Sequence, residues 1–68
     1  MLETKSVAER IVDWTPDGWD YGSRKTAIVR DGKIEKMPEI EGYFLNADID
    51  GAIEFLKSIK RMMAETKK

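Results

Sequence analysis

Two hydrophobic rhythms divide the chain. From Asn46 to Glu65, the residues Ile49, Ala52, Ile53, Leu56, Ile59 and Met63 recur at the i, i+3, i+4, i+7 spacing of one helical face. At roughly 100° per residue this set falls within about 120°, and Phe55 and Met62 widen the stripe to about 180°. Glu54, Lys57, Ser58, Arg61 and Glu65 fill the opposite face. The pattern predicts an amphipathic helix over about 47–65. Asn46 is the expected N-cap, because its side-chain oxygen can accept from an orphan amide of the first turn. Asp48 and Asp50 then sit where the helix dipole favours negative charge, and Lys60, Arg61, Lys67 and Lys68 lie toward the end that favours positive charge. Lys60 falls inside the apolar arc, where its stem can lie on the core while the ammonium reaches water. Gly51 is discordant. A glycine in a helix interior costs about 1 kcal/mol relative to alanine, so it asks for a close neighbour or for a helix that starts late, near Asp50.

The preceding residues carry the shorter rhythm of strands, punctuated by turns. Arg30-Asp31-Gly32-Lys33 places Asp-Gly between extended flanks, a strong hairpin signal. A two-residue loop pairs Arg30 with Lys33, Val29 with Ile34 and Ala27 with Lys36, so Ala27, Val29 and Ile34 face inward and Ile28 faces outward beside Glu35. Thr15-Pro16-Asp17-Gly18 reads as a turn in which proline presets φ at the first turn position and glycine takes the left-handed position that follows. It joins a strand near Ser6–Trp14 to one near Trp19–Arg30, which Gly22-Ser23 can interrupt. Pro38 separates a last extended segment, Glu39–Leu45, from which Ile40 and Phe44 should reach the core. The expected fold is α+β: a small antiparallel meander of three or four strands within about 5–45, with one C-terminal amphipathic helix on one face. The reading is one domain over 1–68, with 1–4 and 66–68 expected to fray.

Composition narrows how such a domain holds together. A chain of 68 residues buries only about 60% of its unfolded surface, and domains of this size usually need disulfides, metal or oligomerisation as a supplement. There is no cysteine and no histidine. Disulfides and the common zinc sites are therefore closed, and self-association is the supplement left. The lack of cysteine fits a reducing compartment. With no apolar run near the roughly 18 residues of a membrane span, and no signal-peptide pattern, the chain reads as cytoplasmic.

The net charge of −1 argues against strong nonspecific binding to duplex DNA. The charge is segregated, however. Residues 39–54 hold five acidic and no basic side chains, and residues 55–68 hold five basic and one acidic. Basic residues also cluster at 24–38. The two basic blocks can merge into one patch, or the acidic and basic blocks can pair across sheet and helix.

Catalytic chemistry is poorly supported. The commonest general base and the strongest nucleophile are missing. Glu39 with Glu41, and Asp48 with Asp50, are carboxylate pairs, but a solvated strand edge and helix first-turn acids account for them. Neither Asp31-Gly32 nor Asp50-Gly51 extends into a calcium loop, and no glycine-rich phosphate loop exists. The expectation is a non-catalytic binding or regulatory module without cofactor or metal. The sharpest candidate surface is aromatic and basic: Trp14, Trp19, Tyr21, Arg24, Lys25 and Arg30. Such residues form protein-binding hot spots, and on a sheet they can hold single-stranded nucleic acid by stacking and phosphate contact. They can equally be a satellite core beside the turn. Phe55, Ile59 and Met62 are the candidate dimer contact, unless they merely cover the sheet edge. The leading expectation is therefore protein–protein contact as a homodimer. Single-stranded nucleic-acid binding is the alternative.

Two families share short segments with the chain. Met37-Pro38-Glu39-Ile40-Glu41-Gly42-Tyr43-Phe44, followed by Ala47-Asp48 and a helix, looks somewhat like the Pro-Glu-Leu-Pro-Gly-Cys segment and helix of HicB-type antitoxins. Here Glu41 stands for the second proline and Tyr43 for the cysteine. Leu45-Asn46 entering an acidic helix start is similar to the coactivator called positive cofactor four, whose strand-rich module with a C-terminal helix Pur-type repeats share. Both resemblances imply regulation or nucleic-acid handling, and neither carries site residues onto this chain.

Overall fold

A computed structural model describes residues 9–67. Three strands, β1 (Glu9–Trp14), β2 (Lys25–Arg30) and β3 (Lys33–Lys36), form one antiparallel sheet in the order β1-β2-β3. Two helices follow, α1 (Gly42–Ala47) and α2 (Ile49–Thr66), and α2 packs on one face of the sheet. The chain is thus an α+β domain with a three-stranded meander and a C-terminal helix, as expected. Segments 1–4 and Ser6–Ala8 of the expected first strand lie outside the described residues, as does Lys68.

The β2–β3 hairpin follows its turn chemistry. Asp31 and Gly32 take φ of 52° and 80°, the positive values that a type I′ turn requires at both central positions. Arg30 pairs with Lys33 and Val29 with Ile34. The register then breaks. Lys36 pairs with Ile28, not with Ala27, because a bulge between Ile28 and Val29 leaves one extra residue on β3. Ala27 instead pairs with Val12 across β1.

The first turn sits one residue later than expected. The Trp19 amide donates to the Pro16 carbonyl at 3.1 Å, and Gly18 takes φ 85° at the third position. Pro16 is therefore the buried corner that opens the turn, not its first central residue. After it the chain makes a single 3-10 turn at Tyr21–Ser23, so β2 begins at Lys25 instead of Trp19.

Glu39–Leu45 forms no strand. Residues 37–41 are irregular and Gly42 opens α1. Pro38 supplies no amide to a ladder. The expected anchors still turn inward: Phe44 is buried, and Ile40 packs against the core.

The cap of α2 is Asp48, not Asn46, which lies within α1. Asp48 Oδ1 accepts from the Gly51 amide at 3.0 Å. Its Oδ2 accepts from Trp14 Nε1 at 3.0 Å and from the Asp17 amide at 3.1 Å. One carboxylate thus fastens the end of β1 and the first turn to the start of α2. A Cβ on Gly51 would overlap that carboxylate and come within 2.6 Å of Trp14 Nε1. The discordant glycine is explained by this close approach.

At the far end, Thr66 is only 2% exposed. Its hydroxyl accepts from the Gly32 amide at 2.9 Å and donates to the Met62 carbonyl at 2.8 Å. This bond ties the hairpin tip to the last turn of α2, at the first residue of the segment 66–68 that was expected to fray.

The core consists of Trp14, Ala27, Val29, Phe44, Ala52, Phe55 and Ile59, with Val12, Ile40, Leu45, Met62 and Met63 packed around it. The rotation of α2 about its axis differs from expectation. Its buried residues are Ala52, Phe55, Ile59 and Thr66. Ile49, Ile53 and Leu56, expected inside, are 53%, 42% and 50% exposed. The cause lies in the aromatic pair. Trp14 and Phe55 pack with ring centroids 5.5 Å apart, and the bare Gly51 backbone lets the helix settle on the Trp14 edge. Burying Phe55 in full gains more than burying a half-covered aliphatic.

Candidate functional site

The six aromatic and basic candidates do not assemble into one surface. Trp14 is a core residue held by Phe55 and Asp48. Trp19 packs on α1, with its ring 4.9 Å from Phe44 and 5.5 Å from Tyr43. Lys25 lies over the Phe44 ring at 4.3 Å, with its ammonium 3.6 Å from Glu41. Tyr21 is exposed and carries the Arg24 guanidinium at 4.3 Å, while Arg24 reaches Asp13 at 3.8 Å. Arg30 projects from the helix-free face of the sheet, where it hydrogen-bonds Glu9 at 2.9 Å and lies 2.8 Å from the Glu35 carboxylate as an ion pair. The set is spread over the core, the α1 side and the opposite sheet face. Its three cations each face a carboxylate, which offsets the attraction that a phosphate backbone would need.

The helix-free face is similarly self-paired. Ile11 stands opposite Ile28 at its centre, and the Arg30–Glu9 and Arg24–Asp13 pairs flank it. Of the carboxylate pairs, Glu41 is engaged by Lys25 and Glu39 is exposed. Asp48 is the internal fastener described above and Asp50 is a first-turn acid. Among the described residues no cluster of three or more acidic side chains is placed to hold a metal ion. The Asp48 carboxyl lies below its ordinary value, first because Trp14 Nε1 donates to it, then because the Gly51 and Asp17 amides do; partial desolvation opposes them.

The candidate dimer contact is also displaced. Phe55 and Ile59 are each only 3% exposed, and Met62 packs against the core. These residues are spent within the chain, because they form the face that α2 turns to the sheet. The large apolar residues that α2 leaves in water are Ile49, Ile53 and Leu56. With Lys60, they fall within about 60° on the helical wheel. Gly51, Glu54 and Ser58 lie on roughly the opposite flank, and there they border an open groove of about 210 Å³ with Val12, Asp13 and Trp14. The exposed stripe therefore looks away from the β1 edge. Ile34, on the same sheet face as Val29, is half exposed where α2 only grazes β3.

This stripe is the candidate site. Periodicity alone missed it, since a stripe of about 180° does not say which half is buried. Gly51 was the available signal: it marks the flank that a neighbour crowds, and hence the opposite flank as the open one.

Among the described residues no helix is long and apolar enough to cross a membrane. Compared with protein-family models, curated proteins and solved structures, the chain matches none. Neither of the short resemblances is therefore supported by a family match, and Leu45-Asn46 lies inside α1 instead of leading into the long helix.

Proposed function

We propose that this chain is a small non-catalytic binding module that works through protein–protein contacts made by the outer stripe of α2. The observation that carries the reading is three aliphatic side chains, Ile49, Ile53 and Leu56, about half exposed along one side of a well-anchored helix. Scattered surface aliphatics need no explanation, but a contiguous row on a rigid element is the form that helix-in-groove and helix-on-helix contacts take. Because both ends of α2 are fastened, the row is presented without an ordering cost at binding. The absence of histidine and cysteine supports a role without nucleophilic or imidazole chemistry.

A photo-reactive phenylalanine at position 53, compared with one at Glu65 on the far side of the helix, tests this in cells. Irradiation is expected to join position 53 to a polypeptide and to leave position 65 without adduct. Equal labelling at both positions, or none at 53, rejects the stripe as a contact surface.

A further inference from the structure

We infer that the occupant of this stripe is a second copy of the chain, docked with its α2 antiparallel to the first. The inference rests on the reading above and adds the identity and orientation of the partner. Charge is the argument. Along the solvent side of α2 the acids Asp50 and Glu54 precede the bases Lys57, Lys60 and Arg61, with Glu65 one turn further on; Lys57 also lies 3.9 Å from Glu54 of its own chain, an exposed pair that a partner's Asp50 can share. Such a surface is complementary to itself when reversed. In a twofold antiparallel pair, each contact occurs twice by symmetry. Ile53 then meets Leu56 of the second copy, Ile49 meets the stem of its Lys60, and Asp50 meets its Lys57. Lys60 can lay its methylenes on the aliphatic row while the ammonium stays wet. In a parallel pair the flank that carries Asp50 and Lys57 would face the opposite flank of the second copy, so this exchange of charge is lost.

The need for a partner has its own basis. Among the described residues the core holds seven buried apolar side chains, and the sequence has no cysteine to supplement it. The other large surface, the helix-free sheet face, already pairs its charges internally. The aliphatic row is smaller than the roughly 800 Å² per partner of standard interfaces, so the association is expected to be weak and concentration dependent.

Sedimentation equilibrium on the purified full chain tests the proposal. The expected result is mostly monomer at ~10 µM and a dimer that grows toward ~1 mM. Ile53→Ser and Leu56→Ser should each abolish the dimer while leaving the circular dichroism and the thermal midpoint nearly unchanged. Asp50→Lys and Lys57→Asp should each weaken the dimer at least tenfold, and the double exchange D50K/K57D should restore it. A strict monomer at ~1 mM overturns the second copy. The same holds for a dimer that survives both serine variants, and for charge variants whose double exchange restores nothing. If the purified chain is monomeric while position 53 still cross-links in cells to a polypeptide of another mass, the self-pairing fails and the binding reading stands. If neither is seen, both fail.

Discussion

Helix α2 carries two apolar rows with opposite fates. Ala52, Phe55 and Ile59 are sealed against the sheet, whereas Ile49, Ile53 and Leu56 stand about half in water. Both rows are apolar and interleaved along one helix, so apolar character alone did not choose between them. The choice was made by fit at the helix ends and by one aromatic partner. The sealed row holds the fold, and the open row is available for a partner. Any change that alters which row is sealed should therefore act on stability and binding together.

The largest contrast is between neighbours. Phe55→Ala removes an aromatic that packs on Trp14 and should cost about 3–5 kcal/mol. A domain of this size commonly has only about 3–5 kcal/mol in total, so the variant should be largely unfolded in urea titration even without denaturant. Leu56→Ala, one residue on, should cost about 1 kcal/mol or less. Equal costs would mean that the two rows are not distinct.

Gly51→Ala asks what sets the rotation. At an ordinary helix site this change gains about 1 kcal/mol. Here the new methyl meets the Asp48 carboxylate and the Trp14 indole edge. Overpacking of that kind typically costs about 1–3 kcal/mol, so the expected sign is reversed. A stabilised variant in the same titration would show that the helix can roll off Trp14 freely and that the sealed row is not pinned.

Thr66→Val tests the other anchor with nearly constant volume. It removes the acceptor of the Gly32 amide and leaves that part-buried donor unpaired. The expected cost is about 1–2 kcal/mol, accompanied by faster hydrogen exchange of the Gly32 amide. An unchanged exchange rate would show that the last turn of α2 is held by packing alone.

The sequence was more legible in local chemistry than in orientation. Asp31-Gly32 specified its turn because φ is a property of those two residues. The strand count was decided by Pro38 and by Gly42, which begins a short helix that no strong period marks. Asn46 was a sound cap by type, yet Asp48 won because Trp14 and Asp17, far away in sequence, also bond to it. The inner and outer rows of α2 were confused for the same reason: their assignment depends on a tryptophan some forty residues earlier. Trp14, Lys25 and Arg30 looked like one surface because alternation along a strand was not combined with the pairing of each cation. All three failures concern long-range contacts, which local pattern cannot carry.

Acid should loosen the N-terminal anchor before any change in the row itself. The Asp48 carboxyl lies below its unperturbed value of 3.8, chiefly through the Trp14 indole bond and further through two backbone amides. A carboxyl whose folded value is depressed favours the folded state once it is ionised. Its contribution is fully present above the unfolded value and is lost as pH falls through the folded one. The loss therefore belongs below about pH 4. Across that window wild type should lose stability more steeply than Asp48→Asn, which cannot titrate, with both followed by urea titration. The Trp14 indole proton should move upfield in the same range as its acceptor is neutralised. If the two proteins have parallel acid slopes, the carboxylate is not what sets Trp14 against Gly51, and the rotation of the helix must be ascribed to the Trp14–Phe55 contact alone.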